Sequence, residues 1–190
     1  GDAYSSTLNS MDDTLDVQPK NTKGSTENVP LLAAGKLDIA QATGEVTYEA
    51  LEGIGRAPVK LYVINAMYSQ SGMFIVRADS PYKSIADLKG KPIAWGAKGS
   101  GFIVLARYVM DGLGLDMERD FQAVYLDKAG DGPAMVLDGR VAALWGGGIG
   151  WPGFVAVSKG PQGARFIPPS AEEIRRITAK HSFIKTIAMQ

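Results

Sequence analysis

A chain of 190 residues, 45% hydrophobic and 21% charged, has the balance of an ordinary globular protein and is long enough to bury a real core. Its 20 Lys plus Arg offset its 20 Asp plus Glu, so the clustered basic surplus of a nucleic-acid binder is missing. With no cysteine and a single histidine, disulfides, thiolate chemistry and His/Cys metal clusters are excluded.

Strand-like and helix-like segments alternate from the start. The opening Gly1-Asp2-Ala3-Tyr4 leads into no basic-then-apolar run, so a signal peptide was removed or never present. Leu15 to Thr22 reads as a strand, and Ser25-Thr26-Glu27-Asn28 opens a helix to about Lys36. Asp38 to Ala42 reads as a short buried strand. Glu45 to Ile54 is predicted helical, with Val46, Ala50, Leu51 and Ile54 at helical spacing. Gly55 and Pro58 break that pattern. Leu61 to Tyr68 and Met73 to Ala78 are two more predicted strands, separated by a polar hinge at Ser69-Gln70-Ser71-Gly72.

Ser84-Ile85-Ala86-Asp87 is a capping box that starts a short helix, which Gly90 ends. Pro92 to Ala97 follows as a strand and Gly101 to Leu113 as a long helix. Phe121 to Leu126 is a predicted strand, Ala134 to Leu137 a short helix and Val141 to Trp145 a buried strand. Phe154 to Val157 and Arg165 to Ile167 read as short strands, and Ala171 to Lys180 as a helix. The apolar stretch from Val141 to Val157 holds five glycines and Pro152. A bilayer-spanning helix needs ~20 continuous apolar residues, and this stretch breaks too early. The alternation predicts an α/β fold with a mostly parallel sheet.

Catalytic patterns fail one by one. His181 lies at a helix C-terminus, where capping is its ordinary role. No Gly-x-Ser-x-Gly elbow and no phosphate-loop Gly-Lys-Ser/Thr occurs. Gly148-Ile149-Gly150-Trp151-Pro152-Gly153 matches a dinucleotide pattern, but the next predicted strand ends in Pro168-Pro169-Ser170, without the acid that would hold a ribose. More informative are five small, polar turns between strands and helices. They are Lys23-Gly24-Ser25-Thr26, Thr43-Gly44-Glu45, Lys98-Gly99-Ser100-Gly101, Ala129-Gly130-Asp131-Gly132 and Gly146-Gly147-Gly148. Any one of them is equally well a tight turn or a cap. Five together favour a pocket at the carboxyl ends of the strands, where helix N-termini offer N–H groups to an anion.

Asn21 to Asn28, followed by Leu31-Leu32-Ala33-Ala34-Gly35-Lys36-Leu37-Asp38, resembles the TAXI solute receptors of TRAP transporters. Their pattern there is Thr-Gly-Gly-Ser-x-Glu-Asn, then Leu-Leu-x-x-Gly-x-x-Asp. Tyr48, Met73 to Asp79, Ser84 to Lys91, Gly96 to Gly101, Leu137 to Ala143 and Pro152 continue the likeness in one register. The resemblance implies a type II periplasmic-binding-protein fold of two α/β lobes: residues 1 to about 69, incomplete, and about 70 to 190. It implies a periplasmic protein that clamps a small organic anion in the interlobe cleft for TRAP membrane subunits, with no bound cofactor and no metal. The cleft would be lined by Gly24, Ser25, Thr26, Thr43, Gly44, Glu45, Tyr48 and Tyr68 on one side. From the other side come Gly99, Ser100, Gly101, Phe102, Gly146 and Trp151.

Two departures remove side-chain donors. Thr43-Gly44-Glu45 stands where the family often has Gln-Ser-Asp, and Trp145-Gly146-Gly147-Gly148 where it has Phe-Thr-Ala-Gly, which argues against glutamate as the solute. The chain begins inside the first helix of the family unit and stops short of the strand that returns to the first lobe. It therefore reads as a fragment with an open sheet edge, able to pair as a homodimer. Two rival readings of the same fold are an enzyme such as a pyrimidine-precursor synthase, and the effector-sensing domain of a transcription regulator. The first needs a reactive side chain in the cleft. The second needs a helix-turn-helix segment, which this sequence lacks.

Overall fold

The computed structural model describes residues 1–187. Its centre is a five-stranded sheet of β1 (Met73–Arg77), β2 (Pro92–Ala97), β3 (Gln122–Leu126), β4 (Ala143–Gly146) and β5 (Ala164–Ile167). The spatial order is β3-β2-β4-β1-β5. β2 pairs in parallel with β3 and β4, and β1 lies antiparallel between β4 and β5. Four strands thus run one way and β1 alone runs the other, so the sheet is mixed, with two parallel and two antiparallel ladders where a mostly parallel one was expected. Around it lie α1 (Asp2–Met11), α2 (Ser25–Ala33), α3 (Gly44–Glu52), α4 (Gly101–Gly112), α5 (Gly132–Leu137), α6 (Pro152–Ser158) and α7 (Ala171–Lys180).

The two-residue period of the strands sorts their side chains between two cores. Phe74, Val76, Ile93, Trp95 and Trp145 share one core with Val109 and Met110 of α4 and Ile177 of α7. Met73, Ile75, Ala94 and Leu144 share the other with Val136 of α5 and Phe154 and Val157 of α6. Each fully buried side chain of this size contributes ~1.5–3 kcal/mol of transfer free energy. α4 and α7 cross at contact distance, because a Cβ on Gly112 would lie 2.7 Å from the Cα of Ile177.

Residues before β1 supply helices and, among the described residues, no strand. α2 and α3 dock on α4 through Val29, Val46, Ala50 and Val104. The strands expected at Leu15–Thr22, Asp38–Ala42 and Leu61–Tyr68 run without ladder partners. Their composition suits a strand, but β-structure requires a neighbouring strand to take its N–H and C=O groups. Leu61–Tyr68 is the extreme case, with Tyr62 78%, Val63 73%, Ile64 68% and Tyr68 70% exposed.

Another expected strand, Phe154–Val157, is instead the body of α6. Pro152 is suited to a first helical turn, and burial of Phe154 and Val157 but not of Ala156 follows a helical period. The Ser84–Asp87 capping box does form: Asp87 Oδ2 accepts the N–H groups of Lys83 and Ser84, each at 2.9 Å. The turn that it starts, Ala86–Leu88, is 3₁₀ rather than α.

Candidate functional site

The chain leaves β2 through α4 toward β3, and leaves β4 through α6 toward β5 on the opposite side of the sheet. The crevice between the carboxyl ends of β2 and β4 is therefore the topological switch point, where open α/β sheets bind ligands. The turns 98–102 and 146–151 rim it. The Phe102 and Trp151 rings face each other across it at 6.0 Å, and the Trp145 indole N–H donates to the Phe102 carbonyl at 3.0 Å. Gly147 keeps the gap narrow, because a Cβ there would lie 2.8 Å from Phe102 Cζ.

Three helix N-termini meet beside this crevice. Ser100 caps α4, its Oγ accepting the Phe102 N–H at 3.2 Å. Gly101 sits so close to the start of α3 that a Cβ would lie 2.2 Å from Thr43 Oγ1. Thr26, in the first turn of α2, donates both its N–H (3.2 Å) and its hydroxyl (2.8 Å) to the Gly99 carbonyl. Ser25 Oγ accepts the Thr43 N–H at 3.0 Å, which closes the triangle. Gly24, at φ +125°, allows this approach: any Cβ would lie 2.8 Å from the Gly99 oxygen.

The electrostatics of this junction are uneven. Each helix start carries roughly half a positive charge. Glu27 in the first turn of α2 accepts the Lys23 N–H at 2.6 Å, and Glu45 stands in the first turn of α3. The first turn of α4 has no acid. The buried Thr43 hydroxyl, pressed against Gly101, has no hydrogen-bond partner among the described residues. Alongside runs a groove of about 490 Å³ lined by Thr22, Lys23, Ala97, Lys98, Asp127, Lys128 and Ala129. Lys98 and Asp127 form a loose ion pair there at 3.5 Å. Among the described residues, no group of three or more His, Asp or Glu side chains is placed to hold a metal ion.

The NMT1-like family matches residues 1–190, the whole chain. The chain belongs to the NMT1-like family. Solved structures similar to this member are two-lobed periplasmic binding proteins, of whose fold the chain covers part. The aliphatic sulphonate binding protein SsuA from Escherichia coli is 23% identical, with a TM-score of 0.60 over 87% of this chain and 51% of its own. An ancestral arginine-binding protein bound to arginine is 16% identical, with a TM-score of 0.59 over 96% of this chain and 82% of its own. The substrate binding protein of an amino acid ABC transporter is 16% identical, with a TM-score of 0.58, and 65% of it is covered. The chain thus spans about half the length of the Escherichia coli protein.

In this NMT1-like family member the expected site residues divide into three groups. Gly24, Ser25, Thr26, Thr43, Gly44, Gly99, Ser100 and Gly101 form the junction of helix starts, with Glu45 in the first turn of α3. Phe102, Gly146 and Trp151 line the adjoining crevice, Gly146 against the Trp151 ring. Tyr48 and Tyr68 stand apart from both. Tyr48 is one turn into α3, stacked on Phe183 with centroids 4.1 Å apart. The ring of Tyr68 is on the exposed segment before β1.

Of the 129–132 turn, Ala129 borders the groove, while Gly132 is packed against Leu126 and Leu144. Gly148 and Gly150, at φ +94° and +85°, shape the turn into α6, a helix of seven residues. Ser71, which touches Gly148, and the groove residues Asp127 and Lys128 lie outside the expected site, whereas Lys23 belongs to one of the five expected turns. The Asp127-Lys128 pair directly after a strand was the signal for those two. His181 lies away from the junction, its Nε2 2.6 Å from Asp111 Oδ2.

Proposed function

We propose that this NMT1-like protein is a periplasmic solute-binding protein, not an enzyme, that captures a small organic anion for an uptake transporter. One observation carries the reading: the starts of α2, α3 and α4 converge, and α4 has no acid of its own. Like ends of three helix dipoles raise one another's energy, and an anion offsets that cost. The orphan Thr43 hydroxyl and the Ser100 hydroxyl, whose proton is left free by its capping role, add donors. The one histidine is not among them, being engaged with Asp111. The lobe division near Ser69–Gly72 belongs to the same reading: α2 and α3 bring the first set of turns and the sheet brings the second. Among the described residues no helix is long and apolar enough to cross a membrane, which suits a captor that hands its solute to separate membrane subunits.

The Gly24–Asn28 turn favours TRAP-type membrane subunits as the partner, although the similar solved structures include binding proteins of ABC transporters. Self-association is a second reading, favoured by the exposed Leu61–Tyr68 segment. Native mass spectrometry of gently purified protein tests the main reading, with a retained anionic solute as the expected outcome. Ser100→Ala is expected to weaken binding by about 1–2 kcal/mol. A silent Ser100→Ala beside a Lys98→Ala that abolishes binding would remove the helix-start cradle from the account.

A further inference from the structure

We infer that Trp145 is a positioning residue, which ties the crevice between β2 and β4 to the Ser69–Gly72 segment that precedes β1. Its place follows from the ladder: antiparallel pairing sets Phe74 opposite Trp145 and Met73 opposite Gly146. Ser71 and Gly72 therefore run beside the turn that leaves β4, and a Cβ on Gly148 would lie 3.0 Å from Ser71 Cβ. The indole stands between that segment and α4. On one side, a Cβ on Gly72 would lie 2.5 Å from Trp145 Cζ2 and 2.8 Å from Cη2. On the other, the indole N–H donates to the Phe102 carbonyl in the first turn of α4.

Trp145 is fully buried, and a close-packed ring passes a displacement to its neighbours instead of absorbing it. A carbonyl oxygen has two lone pairs, so the indole bond adds to the helix's own and fixes where the first turn of α4 lies over the sheet. Phe102 is the ring that faces Trp151 across the crevice. A shift of Gly72 is thereby carried through two contacts to the crevice wall. Burial alone does not impose such a bond, as the neighbouring Trp95 shows. It is equally buried and meets Phe74 edge-on as Trp145 does, yet its indole N–H has no partner among the described residues. The inference rests on the solute-receptor reading for the use of the crevice, and adds that hinge segment and site share one indole.

Fluorine NMR of the fluorotryptophan-labelled protein, without added solute, reads the coupling through the Trp151 signal, identified as the one that Trp151→Phe removes. Trp145→Phe keeps a buried aromatic ring but loses the N–H, and should move or broaden that signal. Trp95→Phe makes the same change in the same core and should leave it in place. Gly72→Ala, at a φ outside the left-handed region, pushes on the indole from the hinge side and should move the signal too. The other atom near the new methyl, Leu105 Cδ2 at 3.0 Å, is the free end of a side chain and turns away. In the Trp145→Phe background the two indole atoms are gone, so Gly72→Ala should add no further shift. A Trp151 signal that ignores either Trp145→Phe or Gly72→Ala, or that answers Trp95→Phe equally, would overturn the positioning role. If Trp145→Phe does not fold, Gly72→Ala decides alone on the same signal. With no solute present, either result leaves the solute-receptor reading to its own test, retention of an anion in native mass spectrometry.

Discussion

At Gly101 the first turns of α3 and α4 touch, and an added methyl would lie 2.2 Å from Thr43 Oγ1 and 2.9 Å from Thr43 Cβ. Rotating the threonine relieves the first contact but not the second, so the backbones must part. Gly101→Ala is therefore expected to destabilise the protein by about 1–3 kcal/mol, the usual range for overpacking. Urea unfolding followed by tryptophan fluorescence checks this, and an unchanged midpoint would mean that the two helix starts are not in contact. Ser100→Ala acts differently at the neighbouring position. It removes the cap on Phe102 N–H at a cost of about 1 kcal/mol in stability. Its effect on binding must therefore be measured well below the melting temperature, where the folded fraction is still complete.

Among the elements, α3, α4 and α7 are joined away from the site by one polar and aromatic cluster. Phe183 stacks on Tyr48 and meets Tyr108 edge-on at 4.9 Å. The Tyr108 hydroxyl donates to Glu49 at 2.8 Å, and burial, with that bond second, pushes its pKa up to about 12. Asp111 is held below its ordinary value of 3.8, first by the hydrogen bond from Lys180 and then by that from His181. A carboxylate lowered in the folded state contributes stability that is complete above its unfolded pKa. That contribution is lost as pH falls through the lowered value. Because the Asp111 side chain is 48% exposed, screening keeps it below about 1 kcal/mol. Asp111→Asn should accordingly lower the melting temperature slightly at neutral pH, and the gap should close as the pH falls below the ordinary carboxylate range. A gap that widened on acidification would reverse the assignment.

For the whole molecule, the two ends of the chain are unequally organised. The sheet is covered on both faces, whereas Leu61–Tyr68 belongs to no helix or strand, carries no charge, and exposes Tyr62, Val63, Ile64, Met67 and Tyr68. Such a segment offers unpaired N–H and C=O groups beside apolar side chains, which is a template for pairing with another strand. The chain is expected to self-associate through it in concentrated solution. Tyr62→Lys with Ile64→Lys should keep it monomeric, because charges on a strand oppose edge pairing. Sedimentation velocity over a concentration series reads this directly. An unmodified chain that stays monomeric throughout would mean that the segment is covered by other means.

Local physics made the second half legible. β1, β2, β4, α4 and α7 are visible in the sequence because apolar period, caps and glycine stops agree there, and burial on both sheet faces selects the same residues. Of the polar turns only the one at Ser100 is a side-chain cap, on the Phe102 N–H, whereas Gly24, Thr43 and Asp131 precede their helices without one. What sequence alone could not decide was partnership. Leu15–Thr22 and Leu61–Tyr68 have strand composition without a strand beside them, and a ladder is a property of two segments. Tyr48 sits one turn past a site turn, yet its ring is committed to Phe183, 135 residues further along the chain. Lys23 and Lys128 became neighbours of Lys98 only when α2 docked on α4 and β3 paired with β2. Contacts at such separation follow from how helices and sheet pack, and no local pattern records them.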